Sequence, residues 1–336
     1  MEKNISLNYG SGGALTKKLI NEIILKYFKS TELKKLNDSA IIKTKSNLLA
    51  FTTDSYVIKP LFFPGGDIGK LAICGTVNDL SVQFAKPLFI SVGLIIEEGL
   101  SFFDFEKIIK SIAETSKKAG VEIVTGDTKV IEKGKGDGIY INTAGIGEIL
   151  NEEYINLWQT IKEGDKIIVS GSLGDHSIAV LSKREEFNFK TRIKSDCTNL
   201  NKIVEEIIKN KLRVKFIRDI TRGGLATILN ELAEKIKFNI LINEKEIPIK
   251  KEVQTICNII GFNPLYLANE GKLLFVIDKS DEKKLFSILK KYKETKAAKS
   301  IGEILTKKEQ IVILKNIYGV NKILDILSSE QLPRIC

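Results

Sequence analysis

The chain has 336 residues, 43% apolar and 28% charged, with a formal net charge of +10. That length suits two domains with full cores, and the composition excludes a disordered, collagen-like or disulfide-dense chain. Positive charge forms no nucleic-acid stripe, because lysines alternate with carboxylates, as in Asn201-Lys202-Ile203-Val204-Glu205-Glu206, without interleaved aromatics. No nucleic-acid partner is expected. The longest nearly apolar run, Leu88 to Ile96, is too short to cross a bilayer, and the start lacks a signal-peptide pattern. A cytoplasmic protein with no membrane partner is expected.

In chain order, apolar residues at 15, 19, 23, 24 and 27 after a glycine-rich start predict a first helix. Strand-like runs follow at 48–53, 88–96, 121–125 and 139–149. Between them lie two helices, one opened by Asp67 and one running from Asp104 to near Gly120. This mixed order predicts an α+β first domain over 1–154. The polar stretch 151–165 marks a boundary, and a second domain over 155–316 alternates strands and helices. Its helical patterns lie at 199–210, 222–236, 249–260 and 281–292, and its strands at 166–170, 238–242, 272–278 and 311–314. A short helix near 320–327 is expected within a mobile tail, 317–336.

Four cysteines, at 74, 197, 257 and 336, include no C-x-x-C pair, and His176 is the only histidine. These counts remove Cys-based and His-cluster metal sites and leave chemistry to carboxylates, lysines and backbone. Gly10-Ser11-Gly12-Gly13 precedes the first helix, where backbone amides either approach an anion or simply form a turn. Asp38, Asp54, Asp79 and Asp127 each stand where an apolar run meets polar residues. Taken together they suit Mg²⁺ bridging phosphate oxygens; taken singly they suit turns and caps. Lys129 follows Asp127 by two residues. The run Arg218-Asp219-Ile220-Thr221-Arg222-Gly223-Gly224 before a helix reads equally as a phosphate-binding turn or an Arg-Asp salt bridge. His176 is either a general base or a hydrogen-bonding residue at a helix start. Glu270, in Asn269-Glu270-Gly271-Lys272, is a carboxylate left accessible by a glycine. Cys336 is an incidental terminal residue or a thiol on a swinging arm.

These stretches, together with Phe51-Thr52-Thr53-Asp54-Ser55, the run Leu71 to Leu80, Gly126-Asp127-Thr128-Lys129-Val130, Gly171 to His176 and Pro333-Arg334-Ile335-Cys336, resemble the HypE family of hydrogenase maturation proteins. That family lies within the aminoimidazole ribonucleotide synthetase superfamily, and the match runs in order along essentially the whole chain. The resemblance implies a PurM-like fold, with an α+β N-terminal domain that forms a homodimer through its sheets and an α/β C-terminal domain. It also implies ATP-dependent dehydration of a carbamoyl group on Cys336 to a thiocyanate, which supplies the cyanide ligand of nickel-iron hydrogenase. HypF would load the sulfur, and a HypC–HypD complex would receive the product. Mg²⁺ would fall to Asp38, Asp54, Asp79 and Asp127, and ATP to the Gly10–Gly13 turn, Asn78, Gly126 and Thr128. Arg222 would meet phosphate or the tail carboxylate, Lys129 or Glu270 would take the proton, and His176 would position the carbamoyl group. Two departures stand out: Asn37-Asp38 replaces the paired aspartates of many members, and Ile220 stands where proline is common. A small-molecule kinase or synthetase of the same superfamily and a nucleotide-sensing scaffold are the competing expectations.

Overall fold

The structure is a computed structural model that describes residues 4–6, 18–31, 34, 48–184, 186–187, 189–306 and 309–326. The expected sites at Gly10, Ser11, Gly12, Gly13, Asp38 and Cys336 lie outside the described residues. A π-helical stretch, Ile20–Ile24, runs into a short α-helix, Leu25–Tyr27, within the predicted first helix.

The first sheet is assembled from β1 (Leu49–Tyr56), β4 (Ala85–Glu97), β5 (Glu122–Ile131) and β6 (Ile139–Ile149), in the order β1-β6-β4-β5. A small hairpin of β2 (Phe62–Phe63) and β3 (Gly66–Asp67) precedes helix α1 (Ile68–Val82), and α2 (Phe102–Ala119) crosses from β4 to the parallel β5. Asp67 starts α1 by accepting from the Gly69 and Lys70 amides. α2 begins two residues before the predicted Asp104, because Ser101 is the cap that accepts from the Asp104 amide; Gly120, at φ 78°, closes it. α1 is apolar on nearly every side and correspondingly buried.

The second sheet holds β7 (Lys166–Val169), β8 (Val214–Asp219), β9 (Ile240–Asn243), β10 (Leu273–Ile277), β11 (Lys299–Ile304), β12 (Val312–Lys315) and β13 (Asn321–Ile323), in the order β13-β12-β9-β11-β7-β10-β8. Helices α3 (Asp175–Leu181), α4 (Asn201–Lys209), α5 (Gly224–Ile236), α6 (Lys251–Ile260) and α7 (Glu282–Leu289) accompany it. β10 is buried throughout: Leu274 and Val276 enter one core, while Leu273, Phe275 and Ile277 enter the other. The helix expected near 320–327 is not formed at 321–323, which pair with β12 instead. Pairing outweighs a local helical pattern that lacks a core to pack against.

The two halves are held by a strap, 190–200, without regular structure. Its Ser195 amide donates to Pro64 O at 2.7 Å, and Asn199 Nδ2 donates to Thr115 O at 3.1 Å. Asn201 Nδ2 then donates to Ala119 O at 2.9 Å, fastening α4 to the end of α2. Among the described residues, no helix is long and apolar enough to cross a membrane.

Candidate active site

Alternation along β1 decides what meets α1. Thr52, Asp54 and Tyr56 are the better-buried set, whereas Leu49, Phe51, Thr53 and Ser55 are exposed. Thr52 Oγ1 donates to Asp79 Oδ2 at 3.0 Å, and the Tyr56 hydroxyl donates to Asp54 Oδ2 at 3.0 Å. These two bonds bring the carboxylates of β1 and α1 together, as the sequence pattern leads one to expect.

The second domain adds two more acids. Burial, then the negative charge of Asp54, pushes Asp79 up to about 6. Asp219, at the end of β8, is pushed up to about 7 by burial and then by Asp79. Glu270, in the turn before β10, is raised well above the usual carboxylate range by burial and then by Asp196 and Asp219. Arg218 only partly offsets this charge and is itself paired with Glu231 at 3.1 Å. Four acids from four elements therefore share a pocket of negative charge at the domain junction. Oxygen donors short of positive charge suit a hard divalent cation. Among the described residues no three His, Cys, Asp or Glu side chains are grouped closely enough to hold an ion alone. The acids fit the ion only with further oxygens, such as those of a phosphate chain.

Behind this cluster Lys272 lies 3.2 Å from Asp196, and both side chains are buried. Although burial opposes it, Lys272 and then His176 hold the Asp196 carboxyl below its ordinary range. The Asp196 Oδ1 atom accepts from the Glu270 amide at 3.1 Å. Lys272 is thus matched to Asp196, and the turn bearing Glu270 is fixed by its backbone.

Other expected site residues separate. The Asn78 amide is engaged by backbone: Nδ2 donates to Thr198 O at 3.1 Å and Glu270 O at 3.5 Å, while Oδ1 accepts from the Leu200 amide at 2.9 Å. Its polar capacity is used in clamping strap to helix. His176 is fully buried at the start of α3, its Nδ1 2.8 Å from Ser195 Oγ and its ring edge-on to Phe63. Burial lowers it to about 4, which leaves a neutral imidazole on the strap. Gly126 has a structural reason, since a Cβ there would stand 2.3 Å from Val92 O. Arg222 is exposed just before α5, where Gly224, at φ 64°, leaves no room for a Cβ against Leu265 O.

Asp127 and Lys129 are exposed on β5, and Thr128 between them is half-buried. Asp127 is in register with Gly93, Asn142 and Ser55, a row on the open side of the sheet. Within one protomer they do not join Asp54: they sit on the opposite face and three strand spacings away, about 14 Å. Asp219, Thr52 and Tyr56 complete the cluster: in the sequence Asp219 reads only as part of a phosphate-binding turn or an Arg-Asp salt bridge, Thr52 only as part of a motif, and Tyr56 not at all. The signal that marks Asp54 is weak for Asp219, because Lys215 and Arg218 interrupt the strand that it ends.

A two-domain chain with a carboxylate cluster between an N-terminal and a C-terminal α/β layer defines the class. The N-terminal domain of AIR synthase related proteins matches residues 36–149, and the C-terminal domain matches residues 162–315. The chain is 40% identical to carbamoyl dehydratase HypE of Escherichia coli K12, over 99% of each chain. It superposes with a TM-score of 0.93 on hydrogenase maturation protein HypE in complex with ATP, at 40% identity over 98% of this chain and 99% of that one. A HypE–HypF complex also matches, at 42% identity, a TM-score of 0.77, and 94% and 100% coverage. The chain belongs to the HypE family of hydrogenase maturation proteins.

Proposed function

We propose that this protein is an ATP-dependent carbamoyl dehydratase acting on its own C-terminal cysteine in the cytoplasm. The domains would divide at 154/155, with residues 317–336 as the arm that carries Cys336 into the cluster. The observation that carries the reading is the group of four acids, Asp54, Asp79, Asp219 and Glu270, whose charge a metal-bound triphosphate completes. Its support from relatives is the HypE name carbamoyl dehydratase and the HypE–ATP complex.

In this reaction the carbamoyl oxygen on Cys336 attacks the γ-phosphorus of ATP and ADP leaves. Both N–H protons are then removed in turn, the C–O bond breaks to release phosphate, and the nitrogen pair closes the C≡N bond. The oxygen of the amide departs in phosphate, so no free water is formed. Asp54, Asp79 and Asp219 would hold Mg²⁺, with Asp38 and Asp127 as further ligands; the ion supplies charge neutralisation between phosphate oxygens. Glu270, with its raised proton affinity, takes an N–H proton, and Lys129 steadies the transferring phosphate. The Gly10–Gly13 turn, Thr128 and Arg222 meet the nucleotide. His176 and Asn78 act by positioning the strap that supports Glu270.

Asp127 and Lys129 come from the second subunit of a homodimer. Exposed Phe51 and Ile95 share the open face with them, which suits that face to the apolar seam of a dimer in which β5 of one subunit is brought to the β1 edge of the other. HypF loads the sulfur, in keeping with the HypE–HypF complex, and a HypC–HypD complex receives the cyano group. The test is intact mass after incubation with HypF, carbamoyl phosphate and ATP. The wild-type chain gains one cyano group in place of hydrogen, whereas Cys336→Ala retains ATP binding and gains nothing. A cyano adduct on Cys336→Ala refutes the reading.

A further inference from the structure

The second sheet ends in a hairpin that sends Val312 and Leu314 of β12 into the core but leaves the apolar side chains of its turn and of β13 outside it. Its turn, 316–320, is fully formed: the Asn316 amide donates to Val320 O at 2.9 Å and the Gly319 amide to Asn316 O at 2.9 Å. Asn316 Oδ1 accepts from the Tyr318 and Val320 amides, and Gly319 takes the required positive φ of 84°. The far end is fastened as well. Asn230 Nδ2 donates to Leu324 O at 2.9 Å, the Tyr266 hydroxyl donates to Asp325 O at 2.8 Å, and Leu324 is buried. The hairpin is an ordered projection.

Even so, Tyr318 is 85% exposed, Ile323 63% and Val320 60%, with Ile317 and Ile326 close to half exposed. Among the described residues β13 pairs only with β12, so its outer edge offers unpaired backbone groups beside apolar side chains. Soluble proteins ordinarily blunt such an edge, and an apolar cluster kept on it marks an interaction surface. The other exposed apolar face, around Phe51, is taken by the homodimer proposed above. Chain length names the occupant here. Ile326 ends the described chain, and Cys336 lies ten residues on, a reach of at most about 35 Å. A protein that draws this sulfur into its own active site has to rest within that distance of the hairpin.

We propose that the β12–β13 hairpin is the docking surface for the protein that loads the carbamoyl group onto Cys336. The partner adds a strand to the outer edge of β13 and covers Tyr318, Val320 and Ile323 with an apolar patch. Acidic groups at the rim of that patch would match exposed Lys315 and Lys322. This inference rests on the reading of Cys336 as the carrier. Loading then occurs at the hairpin and dehydration at the carboxylate cluster, with the tail passing between them.

Hydrogen exchange on the full-length protein, with and without the HypF-type transferase, is the direct test. Amides of 321–326 are expected to gain protection on complex formation. The triple variant Tyr318→Ser, Val320→Ser, Ile323→Ser is expected to raise the dissociation constant for the transferase by at least about tenfold. Loading should recover at saturating transferase, and the dehydration rate of variant protein already loaded and freed of partner should equal the wild-type rate. Absence of protection, wild-type affinity in the triple variant, or protection that appears with rising concentration of this protein alone overturns the docking assignment. Cys336→Ala in an intact hairpin separates the two readings: it binds the transferase but accepts no carbamoyl group. Its carbamoylation would defeat the carrier reading while leaving the hairpin result standing.

Discussion

The two faces of the N-terminal sheet are built from the same strands and meet opposite fates. On the α1 side, Thr52, Asp54 and Tyr56 are drawn into hydrogen bonds and a shared field of carboxylates. On the other side, Phe51, Ile95, Asp127 and Lys129 stand exposed. Side chains one residue apart thus differ in dielectric surroundings and partners. On the proposed function, half of a nucleotide-metal site is preformed inside one protomer, at the domain junction, and the other half stands on a surface that a second subunit would bring to it.

The largest effect should come from breaking the preformed half. Asp219→Asn removes an acid but keeps its shape, and ATP turnover is expected to fall roughly a hundredfold or more. The ligand-free protein should melt no lower than wild type in calorimetry, because a buried acid among acids does not support the fold. A large fall in melting temperature would recast Asp219 as structural. The displayed half is sharpened by mixing subunits. Lys129→Ala and Asp54→Ala homodimers should each be nearly inactive, while their equimolar, re-equilibrated mixture recovers about a quarter of wild-type activity, since half the dimers are mixed and each keeps one intact site. No recovery would mean that the two faces never serve one site.

The smallest effect concerns the strap behind both. His176 has a folded pKa of about 4 against an ordinary 6.5, so the unfolded chain takes up the proton first. Its contribution is fully present above about pH 6.5 and is lost as pH falls towards 4, a change on the order of 3 kcal/mol. His176→Gln should flatten that slope in denaturant titrations across the interval. An unchanged slope would show that the ring is not buried neutral.

Much of this architecture can be read along the chain. The periodic apolar runs mark β1, α1, α2 and the core strand β10, and the caps Asp67 and Gly120 stand where expected. β8 and β11 escape notice because charged residues interrupt them. Lys215 within β8 is matched by Asp165 at 2.7 Å, a pairing from a distant loop. The helix expected near 320–327 was local propensity, overruled at 321–323 by β12. Asn78 sits in a motif whose resemblance implies nucleotide binding, yet its amide is engaged by backbone atoms more than a hundred residues away.

By itself, then, the order of residues determined the two-domain plan, the set of acids available and the family. Tertiary structure alone decided which acids meet: Asp54 and Asp79 with Asp219 and Glu270, and Asp127 apart. The physical reason is that a side chain's face follows from a two-residue repeat, whereas its neighbours follow from strand order and domain docking. Those are set by pairings between residues far apart in the chain, which no local pattern records.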